Sequence, residues 1–422
     1  MTKTIKLALV AAMALGTTSA FATNGTNLIG YGAKSRAMGG TAISNFNGAE
    51  SAFANPALIT QSEKTTEVTI GATLLMPDVT FEADANANTN LMGGMPMSAT
   101  EDSSTAGYGM IPSVAVINKV DDSFAWGLAL YGVGGMGVDY RTTTPDSAIT
   151  YMGANDNLML MRMSVPLAYT VAGFSVGIAP VIEYGALSMD TGVTTDIAIG
   201  FEIGAAYTIA GVSLGLDYKS AVTHDFENTF NSDMTGTAVQ SELDTPAVIG
   251  LGVSYEIAGS TSSFDYKNIA YGSAKGFEDF LWEDQNVFAL GYEYAAEAWA
   301  VRAGFNYGAS PLATDIAADG SNMDPIVGSL AMFPAVCESH YTVGGSYNFT
   351  EIISADLAFM YATGSATAET PDMTGAFPGA AGAGEITATN DQTALSFALN
   401  YAYEYAFHIP IDLMGMYSLN VL

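Results

Sequence analysis

The sequence predicts an all-β protein: a fourteen-stranded antiparallel transmembrane β-barrel with an N-terminal hatch that plugs it. Three observations predict this. Bulky apolar residues recur with a period of two in fourteen separate stretches. The connections between those stretches alternate between tight and long. The composition joins 49% hydrophobic residues to only 13% charged ones, in a chain of formal charge −31. A period of two puts alternate side chains on opposite faces of a strand. Tight turns at one end and long polar loops at the other are the arrangement of an outer-membrane barrel. In lipid, backbone polar groups must be satisfied internally, so spanning strands close into a ring, and closure also removes sheet edges.

Each element follows in order. Residues 1–22 carry Lys3 and Lys6 ahead of an apolar stretch from Leu7 to Leu15, too short to span a bilayer, and end in Ala20-Phe21-Ala22. This reads as a secretory signal peptide. Residues 23–63 are rich in Gly, Ala, Ser and Asn and show no period of two. They form either a disordered periplasmic tail or a hatch, and a lumen of fourteen strands, which leaks unless filled, favours the hatch.

The barrel is expected over 64–407. Its strands are placed at about 64–81, 108–119, 123–140, 157–171, 174–189, 196–209, 212–227, 241–257, 261–273, 285–295, 298–310, 339–349, 352–366 and 391–407. In the first, Val68, Ile70, Ala72, Leu74 and Met76 face outward; in the last, Phe397, Leu399, Tyr401, Tyr403, Tyr405 and Phe407 do. Tyrosines suit the headgroup layer. The longest uncharged run, Met163 to Ile182, holds Pro166, Pro180 and a central Ala172-Gly173, and it alternates; it reads as a hairpin and not a helix. The tight turns are expected at 118–122, 172–173, 210–211, 258–260, 296–297 and 350–351. The long loops are expected at 82–107, 141–156, 190–195, 228–240, 274–284, 311–338 and 367–390. Residues 408–422 abandon the pattern and form a C-terminal extension of unknown role.

Composition excludes several functions. Twelve Lys+Arg against 43 Asp+Glu give no basic footprint for nucleic acid. A lone cysteine, Cys337, permits no internal disulfide. Three histidines without clustered metal-ligand spacing point to no metal, no cofactor and no catalytic residues. A soluble β-sandwich would have to bury the same aromatic faces, and it leaves the alternation of connections unexplained. A structural or adhesive barrel acting through its outer loops and a hydrophilic porin are the remaining alternatives, although an adhesin needs no plug and a porin constricts its channel with charged groups and not with a neutral glycine-rich segment.

By alternation Arg162, Lys219, Lys267 and Arg302 point into the lumen, as do Glu183, Glu202, Asp217, Asp265, Glu293, Asp356 and Glu404. Such groups are costly unless paired or wet. They read either as ion pairs bracing the barrel and anchoring the hatch or, for Arg162 and Lys219, as cations that hold a substrate carboxylate. Met92 and Met95 lie in the first outer loop, and flexible thioethers suit adaptable apolar binding. In the third strand Gly132, Gly134, Gly135 and Gly137 mark a bulge or bend where the wall can open. Valine at 134 and 135 is expected to straighten that strand and shut the opening.

The segments YGAKSRAMGGTAIS, ESAFANPALIT and MPDVTF at the start of the chain resemble the opening of FadL-type long-chain fatty-acid transporters, a family that includes importers of aromatic hydrocarbons. SFAWGLALYGVGGMGVDY is similar to that family's third strand. FSVGIAPVIEYGALSMD, VSLGLDYKSAVTHDFENTF, ELDTPAVIGLGVSY and MFPAVCESHYTVGGSYNFT are similar to later ones, so the resemblance covers about 23–407. It includes the Asn55-Pro56-Ala57 hatch motif. The resemblance implies a monomeric barrel in a Gram-negative outer membrane, surrounded by outer-membrane lipid. It implies passive uptake of long-chain fatty acids or other hydrophobic ligands, with lateral exit at the kinked third strand. It also implies a terminal aromatic, here Phe407, read by the barrel assembly machinery. The third outer loop is much shorter than in the fatty-acid transporters, where it helps form a capture groove.

Overall fold

The computed structural model describes residues 23–404, except 142–147, 152–153, 190–191, 228–241 and 322 and the side chains of 150 and 151. The expected signal segment 1–22, Phe407 and the extension 408–422 lie outside the described residues. The barrel strands are β1 (Thr66–Ala83), β2 (Gly109–Lys119, preceded by Thr100–Ser103), β3 (Phe124–Asp139), β4 (Asn155–Ser164, continued as Leu167–Val171), β5 (Phe174–Met189), β6 (Gly192–Ile209), β7 (Val212–Lys219), β8 (Val248–Ile257), β9 (Ser260–Ile269), β10 (Gln285–Ala295), β11 (Trp299–Gly308), β12 (Ser339–Asn348), β13 (Ile353–Thr363, continued as Ser365–Thr370) and β14 (Gly384–Tyr403). Neighbours pair antiparallel throughout. β14 returns to β1 from Thr66↔Tyr403 to Ala83↔Ile386, which closes the fourteen-stranded ring.

The outward band is apolar. Ile197 and Ile199 on β6 are 67% and 79% exposed, and Leu395, Phe397, Leu399 and Tyr401 on β14 are all exposed. An apolar surface this continuous needs a non-aqueous surround. Toward the long-loop end the polarity inverts. On β1, Val79, Phe81 and Ala83 face inward and are buried, while Asp78 and Glu82 face out. On β14, Ile386 and Ala388 are fully buried. They pack with a helix, Met323–Met332, and with Trp282 and Phe333 into an apolar core above the band. This inversion explains why β14 starts at Gly384 and not near 391: its upper turns alternate, but with small polar residues outward.

Three hairpins turn on Ala172-Gly173, Ala210-Gly211 and Ala258-Gly259, with φ 50° and 79°, 51° and 81°, 50° and 78°. Two consecutive positive φ values make primed turns, whose twist matches that of the strands they join. Other boundaries differ from expectation. Residues 192–195 belong to β6, paired up to Met189↔Gly192, so the third long connection shrinks to 190–191. Val222–Asp225 and Glu242–Thr245, expected to continue β7 and β8, leave the wall as a separate two-stranded ribbon. Pro246 follows that ribbon and cannot donate to a ladder. Glu404, expected to face inward, is exposed and pairs with Lys64 at 2.9 Å.

Candidate functional site

Residues 23–63 are almost wholly buried and touch the inner face of strands around the ring. Arg36 bonds Thr73 on β1 and Ser396 on β14. Lys267 on β9 donates to the carbonyls of Ile29 and Gly40 at 3.0 and 3.1 Å. Asp265 accepts the amides of Ala42 and Ile43 at 2.8 and 3.0 Å. The Asn55-Pro56-Ala57 motif has a local cause. Asn55 caps the 3-10 turn Pro56–Gln61 by accepting from the Ala57 amide at 3.0 Å, and Pro56 fits the first helical position. The Asn55 amide also donates to the carbonyls of Ile43, Ala205 and Leu216, which ties the motif to β6 and β7. Glu50 accepts the amides of Ala33 and Lys34 at 2.9 and 3.0 Å, capping the short helix Ala33–Ala37. Burial, then the nearby Asp356 charge, pushes its carboxyl up to about 7. Burial lowers Arg36 to about 10.

The lumen charges form networks. Arg162 bonds Glu183 through Nε at 2.7 Å and Glu202 through Nη1 at 3.0 Å. Tyr131 donates to the same Glu202 oxygen at 3.0 Å. His224 and Thr245 contact the other oxygen of Glu183. Lys219 lies 3.4 Å from both Glu202 and Asp217 and donates to Ala54 O at 2.8 Å. Arg302 joins Glu293 at 2.5 Å and Ser346 at 2.6 Å. Buried charge is tolerable only in such company.

Lys219, Lys267 and Asp217 line a cavity between the 23–63 segment and β7–β9, with Tyr31, Ile43 and Val248 as apolar walls. Its water-sized free space is about 40 Å³. Of the four expected substrate-binding residues, Lys219 alone reaches it. Arg162 is held by carboxylates. Met92 and Met95 sit on the first outer loop after the helix Ala85–Leu91, which packs on the 381–382 loop through Asn90. Lys267 is the cavity residue that alternation places inward but that no sequence pattern marks for ligand contact.

The glycine-rich part of β3 is irregular. Its ladder to β2 runs only from Ser113↔Tyr131 to Lys119↔Ala125. Its register with β4 shifts between Gly132 and Gly134. Beyond Tyr131, β3 bonds the N-terminal segment instead: Leu28 N donates to Val133 O at 3.3 Å, and Gly135 N donates to Thr26 O at 3.0 Å. A Cβ on Gly134 would lie 2.3 Å from Thr26 O, and one on Gly132 would lie 2.5 Å from Ile111 Cγ2. Valine at 134 therefore collides with the segment filling the gap, and does not simply straighten the strand as the sequence suggests. Tyr271, from an outer loop, accepts the Thr26 amide at 2.7 Å and donates to Asn24 O at 2.9 Å. The segment's hydrogen bonds to β3 run through the backbone, so no side-chain pattern in 24–28 could have announced them.

A family model described as outer membrane protein transport protein (OMPP1/FadL/TodX) matches residues 7–194 and 190–405. The chain is similar in structure to a FadL homologue of Pseudomonas aeruginosa, with TM-score 0.68 and 15% identity over 90% of this chain and 100% of that one. It is also similar to the P. putida toluene transporter TodX, with TM-score 0.65 and 16% identity over 90% and 100%. The Ralstonia pickettii toluene transporter TbuX gives TM-score 0.61 and 16% identity over 90% and 100%. At such identities the likeness is one of fold. Among curated proteins, 81 residues are 43% identical to an uncharacterised protein encoded 5′ of a phosphoenolpyruvate carboxykinase gene in Chlorobium limicola, and the match spans 19% of this chain and 40% of that protein.

Proposed function

The chain belongs to the OMPP1/FadL/TodX family of outer-membrane transport proteins, and on that premise we propose that it takes up hydrophobic small molecules by passive diffusion and releases them sideways at the β2–β3 seam. The family consists of transport channels and not enzymes. In this reading residues 23–63 are the hatch, residues 1–22 the export signal, and Phe407 the aromatic read by the assembly machinery. The protein works as a monomer in the outer membrane of a Gram-negative bacterium.

One observation carries the lateral route: the wall ladder between β2 and β3 stops at Tyr131, and the substitute for it is a non-covalent N-terminal segment. A hydrophobic ligand that entered the periplasm would expose its apolar surface at a cost of roughly 25 cal/mol per Å². Escape into the bilayer avoids that cost. Lys219 lines the cavity on the way, while Arg162, already shared by two carboxylates, braces the wall. Met92 and Met95 serve the outer approach.

The test is uptake of labelled oleate and labelled toluene by cells that lack their own transporter and express this chain. Accumulation of either above the empty-vector level supports transport. Parity with empty vector for both, with a heat-modifiable barrel present, rejects it in favour of an adhesive or structural barrel.

A further inference from the structure

Four residues that line the cavity between the hatch and β7–β9 each carry a side-chain polar atom with no hydrogen-bond partner among the described residues: Asn24 Oδ1, Asn27 Nδ2, Ser35 Oγ and Asp217 Oδ1. All four residues are more than nine-tenths buried. Buried polar groups are rarely left without partners, so a cluster of four around one cavity marks a place where something else supplies them. The set offers both acceptors and donors: a carboxylate oxygen and an amide oxygen, an amide nitrogen and a hydroxyl. Tyr31, Ile43 and Val248 make the rest of the wall largely apolar.

The cavity's cations are already committed. Lys219 is held by Ala54 O and lies near Asp217 and Glu202, and Lys267 is held by Ile29 O and Gly40 O. A ligand carboxylate would therefore meet the free oxygen of Asp217 with no ammonium released to balance it, and like charges at short range repel strongly in a poorly solvated site. The approach from outside is also acidic. Glu278, Asp279, Asp315 and Asp319 are exposed on the long loops. The cations at that end among the described residues, Arg141 and Lys275, are each paired with a carboxylate at 2.8 and 2.9 Å. A field of one sign lowers the local concentration of ligands with the same sign.

We propose that the ligand of this cavity is a neutral, compact hydrophobe bearing a hydroxyl group, a phenol or an alcohol, and not a fatty-acid anion. Its O–H donates to Asp217 Oδ1 or Asn24 Oδ1, its oxygen accepts from Ser35 or Asn27, and its ring or chain packs on Tyr31 and Ile43. This rests on the transport reading above and names its substrate class.

The experiment compares uptake of three labelled probes of matched shape, para-ethylphenol, ethylbenzene and para-ethylbenzoate, in porin-deficient cells expressing the full chain. Ser35→Ala and Asp217→Asn are run beside it, with heat-modifiability checking that each variant is folded. The expected result is para-ethylphenol entering about tenfold faster than the other two, the size of advantage that one or two well-made hydrogen bonds confer. In both variants that ratio falls toward one. Ethylbenzene or para-ethylbenzoate entering as fast as the phenol overturns the substrate class and leaves transport standing. A phenol preference that both folded variants retain overturns the assigned cavity. If none of the three enters above the empty-vector rate, the transport reading falls and this inference falls with it.

Discussion

Two seams flank the first hairpin of the barrel. Between β1 and β14 the strands stay in register from Thr66↔Tyr403 to Ala83↔Ile386 without a shift. Between β2 and β3 pairing stops at Ser113↔Tyr131, although β2 continues to Gly109 and β3 to Asp139. The difference is one of glycine and of what stands opposite. β1 and β14 present side chains on both faces along their shared length except at Gly71. β3 presents Gly132, Gly134 and Gly135, and into the space they leave comes the backbone of Thr26–Leu28. A ladder hydrogen bond made with a wall strand is permanent. The same bond made with a terminal segment can be exchanged, and that exchangeability is what a gate needs.

The strongest way to erase the difference is to staple the open seam. A Cβ built on Gly132 lies 3.8 Å from Ile111 Cβ, the usual separation in a disulfide. Ile111→Cys with Gly132→Cys is expected to cut uptake about tenfold when oxidised, and reductant should restore it, as expected of a gate that must open on every passage. Equal import by the oxidised and reduced forms would show that ligand does not leave here.

Gly134→Val attacks the occupant instead of the strands. Its side chain displaces Thr26 O, so the segment leaves and the seam stands uncovered. Basal uptake should rise about threefold with barrel abundance near normal, a shift in population toward the open arrangement. A fall in uptake would restore the sequence-based expectation that valine closes the wall.

A milder test loosens the buried 23–63 segment from within. The folded carboxyl of Glu50 sits at about 7, above its ordinary value of 4.5, because it is buried and near Asp356. The folded state therefore holds this proton where the unfolded chain has lost it. That contribution is present below the ordinary pKa and disappears as pH rises toward 7. The thermal midpoint should drop between pH 5 and pH 7.5, and Glu50→Gln should flatten that part of the profile. A slope unchanged in the variant would assign it to other groups.

The smallest test touches only regular seams. Ala172, Ala210 and Ala258 hold φ near +50°, where asparagine is better tolerated. Each Ala→Asn change should stabilise by about 0.5 kcal/mol in denaturant unfolding and leave uptake alone. A loss of stability would show that crowding at the turn outweighs backbone preference.

What could be read in the sequence follows from which face carries the signal. Wherever the outward face is bulky, as at Phe397 to Tyr401, the strand stands out. Above the apolar band the bulky side is Ile386 and Ala388 inside, and the outward residues are Thr387 and Thr389, so the periodicity places the strand start seven residues late. The glycines of β3 announce an irregularity, but not its occupant, because Thr26–Leu28 bond that strand through main-chain atoms that every residue shares. Inward charges were legible as a class. Which of them line open space was not, since Arg162 and Lys219 alternate identically and differ only in the neighbours that folding brings to them. Phe407 is expected from its place at the end of the pattern and lies outside the described residues.

The buried 23–63 segment also bears on the order of events in assembly. Thr23 O meets His340 at 3.1 Å, across 317 residues of sequence, and Arg36 reaches Ser396 across 360. These two contacts of the 23–63 segment thus form only when the last strands arrive. Contacts of such separation form late, because the chain between must first be brought together. The ring therefore shuts around this segment: its bonds to β3, β6, β7 and β9 can form earlier, those to β12 and β14 wait for the last strands, and the final zipping of β14 onto β1 traps it. A barrel that closed early would be sealed and empty.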